Sequence, residues 1–261
     1  MEYGICNLSI IPCRKEASDK SEMVTQLLFG QTFSIYTKTE KWAEIIVHDD
    51  NYRCWISNKQ YKDLTEEQYN SINQNSNFIV NDVISVMEDK NQHIHFPVVA
   101  GSLLPNYEED NFEIVDHLYN YEGDVVNTTV KGTRQRIVEK ALEFLNTPYM
   151  WGGKSVLGID CSGFTQLVYK LNGYNLCRDA YQQAESGKTL SFLDEAKEGD
   201  LAFFDNEEGK IIHVGIILAN HHIIHASGKV RIDKIDHFGI YNEEIKDYSH
   251  RLRILKNFID S

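Results

Sequence analysis

The chain has 261 residues, 42% hydrophobic and 25% charged, which excludes a mostly disordered or fibrous protein; single hydrophobic cores close at roughly 100–200 residues, so more than one domain is allowed and two or three units are expected. Its 26 basic and 39 acidic residues leave a net charge of −13, which opposes phosphate backbones and anionic lipid, so no nucleic-acid partner is expected. Nothing approaches the ~20 uninterrupted apolar residues of a membrane helix, because the longest candidate, Ile211 to Ala219, is broken by His213.

The start, Met1-Glu2-Tyr3-Gly4, has no basic region, and Asn7, Pro12, Arg14 and Lys15 arrive before an apolar stretch can form. No signal peptide is predicted, and the sequence as written points to the cytoplasm; a leader removed ahead of Met1 would make the protein periplasmic or secreted. Short strands are predicted at Met23 to Phe29, Thr32 to Tyr36, Trp42 to Val47 and Arg53 to Ile56, separated by turn-forming residues, the pattern of a small β-barrel over residues 1–62. From Asp63 the composition turns polar, which predicts a helix or connector. Strand-like runs then resume at Phe78 to Val86, Ile94 to Val99, Phe112 to Val115 and Asp124 to Val130, giving a second small β-unit within 63–127.

A third domain, 128–261, opens with a helical stripe of Ile137, Ala141, Leu142 and Leu145 behind the N-cap candidate Thr133. Next come Asp160-Cys161-Ser162-Gly163 and apolar residues Phe164, Leu167, Val168 and Leu171 at helical spacing, which put Cys161 in the first turn of a helix. Three strands are predicted at Asp200 to Phe204, His213 to Leu218 and His222 to His225. A cysteine-bearing helix packed on a histidine-bearing antiparallel sheet is an α+β arrangement.

The nucleophilic form of cysteine is the thiolate, and a free thiol of pKa about 8.5 is mostly protonated at neutral pH. A helix N-terminus and a neighbouring imidazole both lower that value, so Cys161 is expected to be depressed. His213 shares a sheet face with Gly215, whose missing side chain leaves room above the sheet. A hairpin through Ala219-Asn220-His221 brings His225 beside His213, so that one imidazole can take the thiol proton while the other fixes its tautomer. Cys6, Cys13, Cys54 and Cys177 have no histidine partner in the pattern and read as buried structural thiols; with Cys161 the five cysteines make an odd, scattered set without C-x-x-C spacing, which argues against a disulfide framework or a zinc knuckle. His221 and His222 read as a solvated hairpin tip, and no metal site is expected.

Pro148-Tyr149 through Gly153, Asp160 through Phe164, Arg178-Asp179 with Gln183, Gly199-Asp200, His213 through Ile216 and Ile224 through Ala226 together resemble the NlpC/p60 family of papain-like cysteine peptidases. The resemblance covers 128–261. It implies Cys161 as nucleophile, His213 as general base and His225 as the orienting third member, with Tyr149, Asp160 and Ser162 as substrate contacts and the Cys161 amide as an oxyanion donor, to which Tyr149 would add. Family members commonly carry a proline where this chain has Cys177, so the fixed turn before Arg178 is missing. Lys41-Trp42-Ala43-Glu44 and Cys54-Trp55-Ile56 resemble the tryptophan positions of bacterial SH3-like modules, and two such barrels before the catalytic domain make the layout similar to γ-D-glutamyl-L-diamino-acid endopeptidases.

The resemblance implies a cofactor-free, monomeric hydrolase that recycles short murein peptides with a free N-terminal L-Ala, cutting the γ-D-glutamyl bond to the diamino acid. A papain-like amidase or acyltransferase would use the same thioester chemistry. A non-catalytic wall-peptide-binding protein is the other alternative, and the intact set of Cys161, His213 and His225 speaks against it.

Overall fold

Alternating apolar residues dictate the first sheet of the computed structural model, which describes residues 1–259. In the strand Trp42–Val47 every second side chain, Ala43, Ile45 and Val47, is buried, as period-2 patterning requires. Seven strands pair in the order Met23–Leu28, Ile10–Arg14, Arg53–Ser57, Trp42–Val47, Thr32–Lys38, Glu2–Ile5 and Lys62–Leu64. Their core holds Cys6, Ile11, Cys13, Phe33, Ile45, Cys54 and Ile56.

The polar connector contains the helix Glu66–Gln74, begun by a reciprocal capping box between Thr65 and Gln68. Beyond it lie a four-stranded sheet (Ile94–Val99, Ile84–Asp89, His117–Asn120, Asn111–Ile114) and a three-stranded one (Leu103–Leu104, Phe78–Val80, Val125–Asn127). Phe78 to Val86 is thus two strands, broken at residues 81–83. One core joins the two β-regions: Phe29 packs at 5.4 Å from Phe96 and 5.3 Å from Tyr119, and Ile5, Leu64, Met87 and Val98 belong to the same cluster. The junction is tight at Gly30, with φ of +80°, where an added Cβ would stand 2.5 Å from the Leu103 carbonyl oxygen.

Contacts divide the chain at residue 130, and residues 151–156 pack with the N-terminal unit. There Trp151 Nε1 donates to Glu22 Oε1 at 2.7 Å, and the Lys154 amide donates to Gln26 Oε1 at 2.8 Å. No described helix is long and apolar enough to cross a membrane.

In the second unit the Thr133 hydroxyl caps the helix Arg134–Leu142 as expected. Its buried residues are Ile137 and Ala141, followed just past its end by buried Phe144, whereas Leu142 and Leu145 are exposed. The helix Cys161–Lys170 is buried through its first nine residues and packs on the strands Ile211–Leu218 and His222–Ser227. Those strands belong to a sheet in which Leu201–Asp205, Ile211–Leu218, His222–Ser227, Lys229–Ile235, Gly239–Asn242 and Asp247–Asn257 pair in sequence, and the last pairs back to the first, closing a six-stranded barrel. Register puts Phe204, His213, Gly215, His225, Arg231, Asp233, Ile240 and His250 on one face. Ala202, Phe204, Ile217, Ile223, Ile235 and Ile240 fill the apolar cluster there.

Candidate active site

Asp160 organises the start of the cysteine helix. Its Oδ1 accepts the Gly163 amide at 2.7 Å, which caps an orphan donor of the first turn. Both its oxygens also meet Arg178, at 3.0 and 2.6 Å, and the guanidinium reaches Ser162 Oγ at 2.9 Å. Arg178 is only 1% exposed, so this is a buried, bidentate ion pair. Gln183 extends the clasp: its amide donates to the carbonyls of Ser162 (3.0 Å) and Cys177 (2.8 Å), and its oxygen accepts from Thr165. These bonds fix the loop before Arg178 where the proline is missing. Of the substrate contacts implied by the sequence, Asp160 and Ser162 are therefore engaged with Arg178, and burial, then the charges of Cys161 and Asp160, push the Tyr149 hydroxyl up against the opposing charge of Arg178.

Cys161 is buried at the helix start. Burial, then the charge of Asp160, pushes its thiol up to about 12; backbone hydrogen bonds from Val214 and Ser162 and the charge of Arg178 pull the other way. The expected net depression is absent, because removal from water outweighs the stabilising dipoles. The Val214 contact brings the sulfur against the residue that follows His213.

His213 Nε2 lies 2.8 Å from His225 Nδ1, as the hairpin reading requires. Gly215 stands opposite His225, and a Cβ there would come within 2.9 Å of the His225 Cβ, so glycine is what allows the imidazole to sit over the sheet. Two residues of the cluster were not anticipated. Asp233 Oδ2 accepts from His225 Nε2 at 2.9 Å, and His250 stacks on His213 with ring centroids 4.0 Å apart. Burial lowers all three histidines: His213 well below its ordinary value, helped by the charges of His225 and His250; His225 against the opposing pull of Asp233; and His250 to about 4. Nitrogens of the three rings lie within 4.8 Å of one another, yet His213 and His250 meet face to face, 24° apart, a stacking contact rather than lone pairs converging on an ion.

Among the other thiols, Cys6, Cys13 and Cys54 are buried as expected, but Cys177 is exposed. Its neighbours Leu176 and Arg178 are buried instead, the latter against Asp160.

The chain matches the NlpC/P60 family over residues 146–248 and the bacterial dipeptidyl-peptidase SH3 domain over 13–60. It is 30% identical over 217 residues to a γ-D-glutamyl-L-lysine dipeptidyl-peptidase of Bacillus subtilis (strain 168), covering 77% of this chain and 71% of that one. A protein of the same name from Bacillus cereus (strain ATCC 10987) is 27% identical over 233 residues, or 80% and 68% of the two chains. The fold is shared with the crystal structure of an NlpC/P60 family protein from Bacillus cereus ATCC 10987, at a TM-score of 0.80 and 18% identity over 98% of this chain and 99% of that one.

Proposed function

The chain belongs to the NlpC/P60 family, is a hydrolase of the cysteine-peptidase type that acts on peptidoglycan, and on that premise we propose that it cuts the γ-D-glutamyl-L-diamino-acid bond of short murein peptides bearing a free N-terminal L-Ala, a recycling role. The names of the two Bacillus relatives support the bond and the diamino acid. The observation that supports the mechanism is the buried His213–His225 pair together with a helix-start cysteine whose sulfur meets the backbone of Val214, the residue after His213.

In this reading His213 takes the Cys161 proton as the sulfur attacks the γ-carbonyl, and the oxyanion is met by the Cys161 amide at the helix start. His213 then gives the proton to the departing amine of the diamino acid. The acyl group remains on sulfur as a thioester, and water, deprotonated by His213, releases the γ-glutamyl acid and restores the thiol. No step calls for a cofactor. Burial raises the Cys161 thiol and lowers His213, the direction that favours the neutral form of each.

Mass spectrometry of digests of L-Ala-γ-D-Glu-L-Lys-D-Ala tests the proposal. L-Ala-D-Glu and L-Lys-D-Ala are the expected products, formed by wild type and not by Cys161→Ala. Cleavage at another bond, or equal rates on free and N-acetylated peptide, would overturn the specificity. A new amide formed when an amine acceptor is added would assign the chain to acyl transfer instead.

A further inference from the structure

Arg231, Asp233, His225 and His213 form a continuous polar chain on one face of the barrel sheet, and elementary donor rules fix where its protons sit. A carboxylate accepts only, and a guanidinium donates only. The 2.9 Å contact to Asp233 Oδ2 therefore needs a proton on His225 Nε2. A neutral imidazole carries one proton, so His225 Nδ1 is a lone pair. The 2.8 Å contact to that atom then needs a proton on His213 Nε2, which leaves the lone pair of His213 on Nδ1. Burial keeps both rings neutral, the condition on which this counting depends.

We infer that Asp233, clamped by Arg231, is a positioning residue that sets the tautomers of His225 and His213 and so leaves His213 Nδ1 as the atom that takes the Cys161 proton. The inference rests on the proposed roles of Cys161 and His213. The clamp is specific: Arg231 Nε donates to Oδ2 at 2.7 Å and its terminal nitrogen to Oδ1 at 2.9 Å, while Glu244 receives the remaining arm at 3.1 Å. The carboxylate cannot rotate away from His225 without giving up this fork. Reversing the tautomers would set the lone pair of His225 Nε2 against an anionic oxygen in a buried site, a mismatch that biases the equilibrium roughly ten- to hundredfold. A further titratable neighbour, His250, stacks on His213 with ring centroids 4.0 Å apart and meets His225 edge-on at 5.7 Å, ring contacts outside this proton order.

Ring-nitrogen NMR of the full-length protein, labelled with ¹⁵N-histidine, reads the tautomers directly. In the wild type at neutral pH, His213 and His225 should both be protonated at Nε2. Asp233→Ala leaves the donor Arg231 facing His225 Nε2, so the proton order should reverse or become mixed. With it, kcat should fall about 10²-fold or more while KM changes little, and alkylation of Cys161 by iodoacetamide should slow in parallel. Added formate, which restores an acceptor, should recover part of both. A wild-type spectrum with His213 protonated at Nδ1 would overturn the inference even if the variant does not fold, as would an Asp233→Ala protein with unchanged tautomers. Full hydrolysis by Cys161→Ala would instead remove the nucleophile assignment, so the two failures are distinguishable.

Discussion

Cys54 and Cys161 are both buried thiols, and both are pushed upward, yet they differ in what opposes that push. Cys54 sits in the first unit's core with Ile11, Ile45 and Ile56; its thiol contact with Cys13 and its burial raise it well above the ordinary value, and the charge of Lys154 is the last and smallest influence. Cys161 is as thoroughly removed from water, but two backbone amides and a buried arginine favour its anion. Burial therefore does not separate a reactive thiol from an inert one. What separates them is whether dipoles and a proton acceptor are already in place to receive charge when a bond forms.

The largest expected difference between the two sites is catalytic. Cys161→Ala should abolish hydrolysis with little change in Tm, because it deletes the bond-forming atom and almost no volume; His213→Ala should cost ~10²–10⁴-fold in kcat through loss of the base. Kinetics beside a thermal melt check both, and near-wild-type turnover by Cys161→Ala would erase the distinction between the thiols.

Removing the clasp around Cys161 should act on stability. Arg178→Leu leaves the Asp160 carboxylate buried without its bidentate partner, a change that typically costs ~3–5 kcal/mol. Urea unfolding should show the loss. A cost under ~1 kcal/mol would mean that water reaches Asp160 once the arginine is gone, and that the polar surroundings of Cys161 are not held by this pair.

Acid sharpens the comparison further, since the histidines lie in the catalytic unit's barrel. His213, His225 and His250 have folded values below their ordinary 6.5, so the unfolded chain binds more protons as pH falls through that value. Stability is then fully present above about pH 6.5 and is lost on acidification, by at most about 1.4 kcal/mol per pH unit for each group. Thermal melts between pH 7 and pH 5 should fall steadily, and His250→Phe, which keeps a stacked ring on His213, should flatten the slope. An unchanged slope in that variant would take His250 out of the account.

Much of this arrangement was legible from residue pattern. The helix start at Cys161, the Thr133 cap, and the pairing of His213 with His225 across a hairpin all follow from local signals, namely capping residues, helical spacing, a turn between two strands and a glycine two residues after His213. The acid Asp233 and the stacked His250 lie on strands whose pattern carries no such signal. Lys229–Ile235 and Asp247–Asn257 are dense in charge, and that charge masks the period-2 signal. Val230, Asp233 and Ile235 are nonetheless buried, and the alternation of Arg231, Asp233 and Ile235 along one sheet face was the available clue. The shared core of the two N-terminal β-regions was invisible for a different reason: Phe29 and Met87 are ordinary strand residues, and nothing in their spacing says that they pack together. Cys177 misled because a thiol's burial depends on which way a loop turns, and here it is Arg178 that turns in.

The smallest effect should come from Cys54. Its Sγ is about the size of a methylene, and deleting one buried methylene from a packed core typically costs ~0.5–1.5 kcal/mol. Cys54→Ala also removes a thiol–thiol contact with Cys13, which is weak because sulfur is a poor donor. No charge, cap or catalytic proton depends on it. Turnover on the tetrapeptide should therefore stay at the wild-type rate while the urea midpoint shifts down slightly, the reverse of the Cys161→Ala pattern. Iodoacetamide should follow the same division: exposed Cys177 and catalytic Cys161 react in the folded protein, whereas Cys6, Cys13 and Cys54 react only as it unfolds. Rapid modification of Cys54 under native conditions, or a Cys54→Ala protein with impaired kcat and an unshifted midpoint, would show that the first unit's thiols take part in chemistry and would collapse the contrast between the two buried sites.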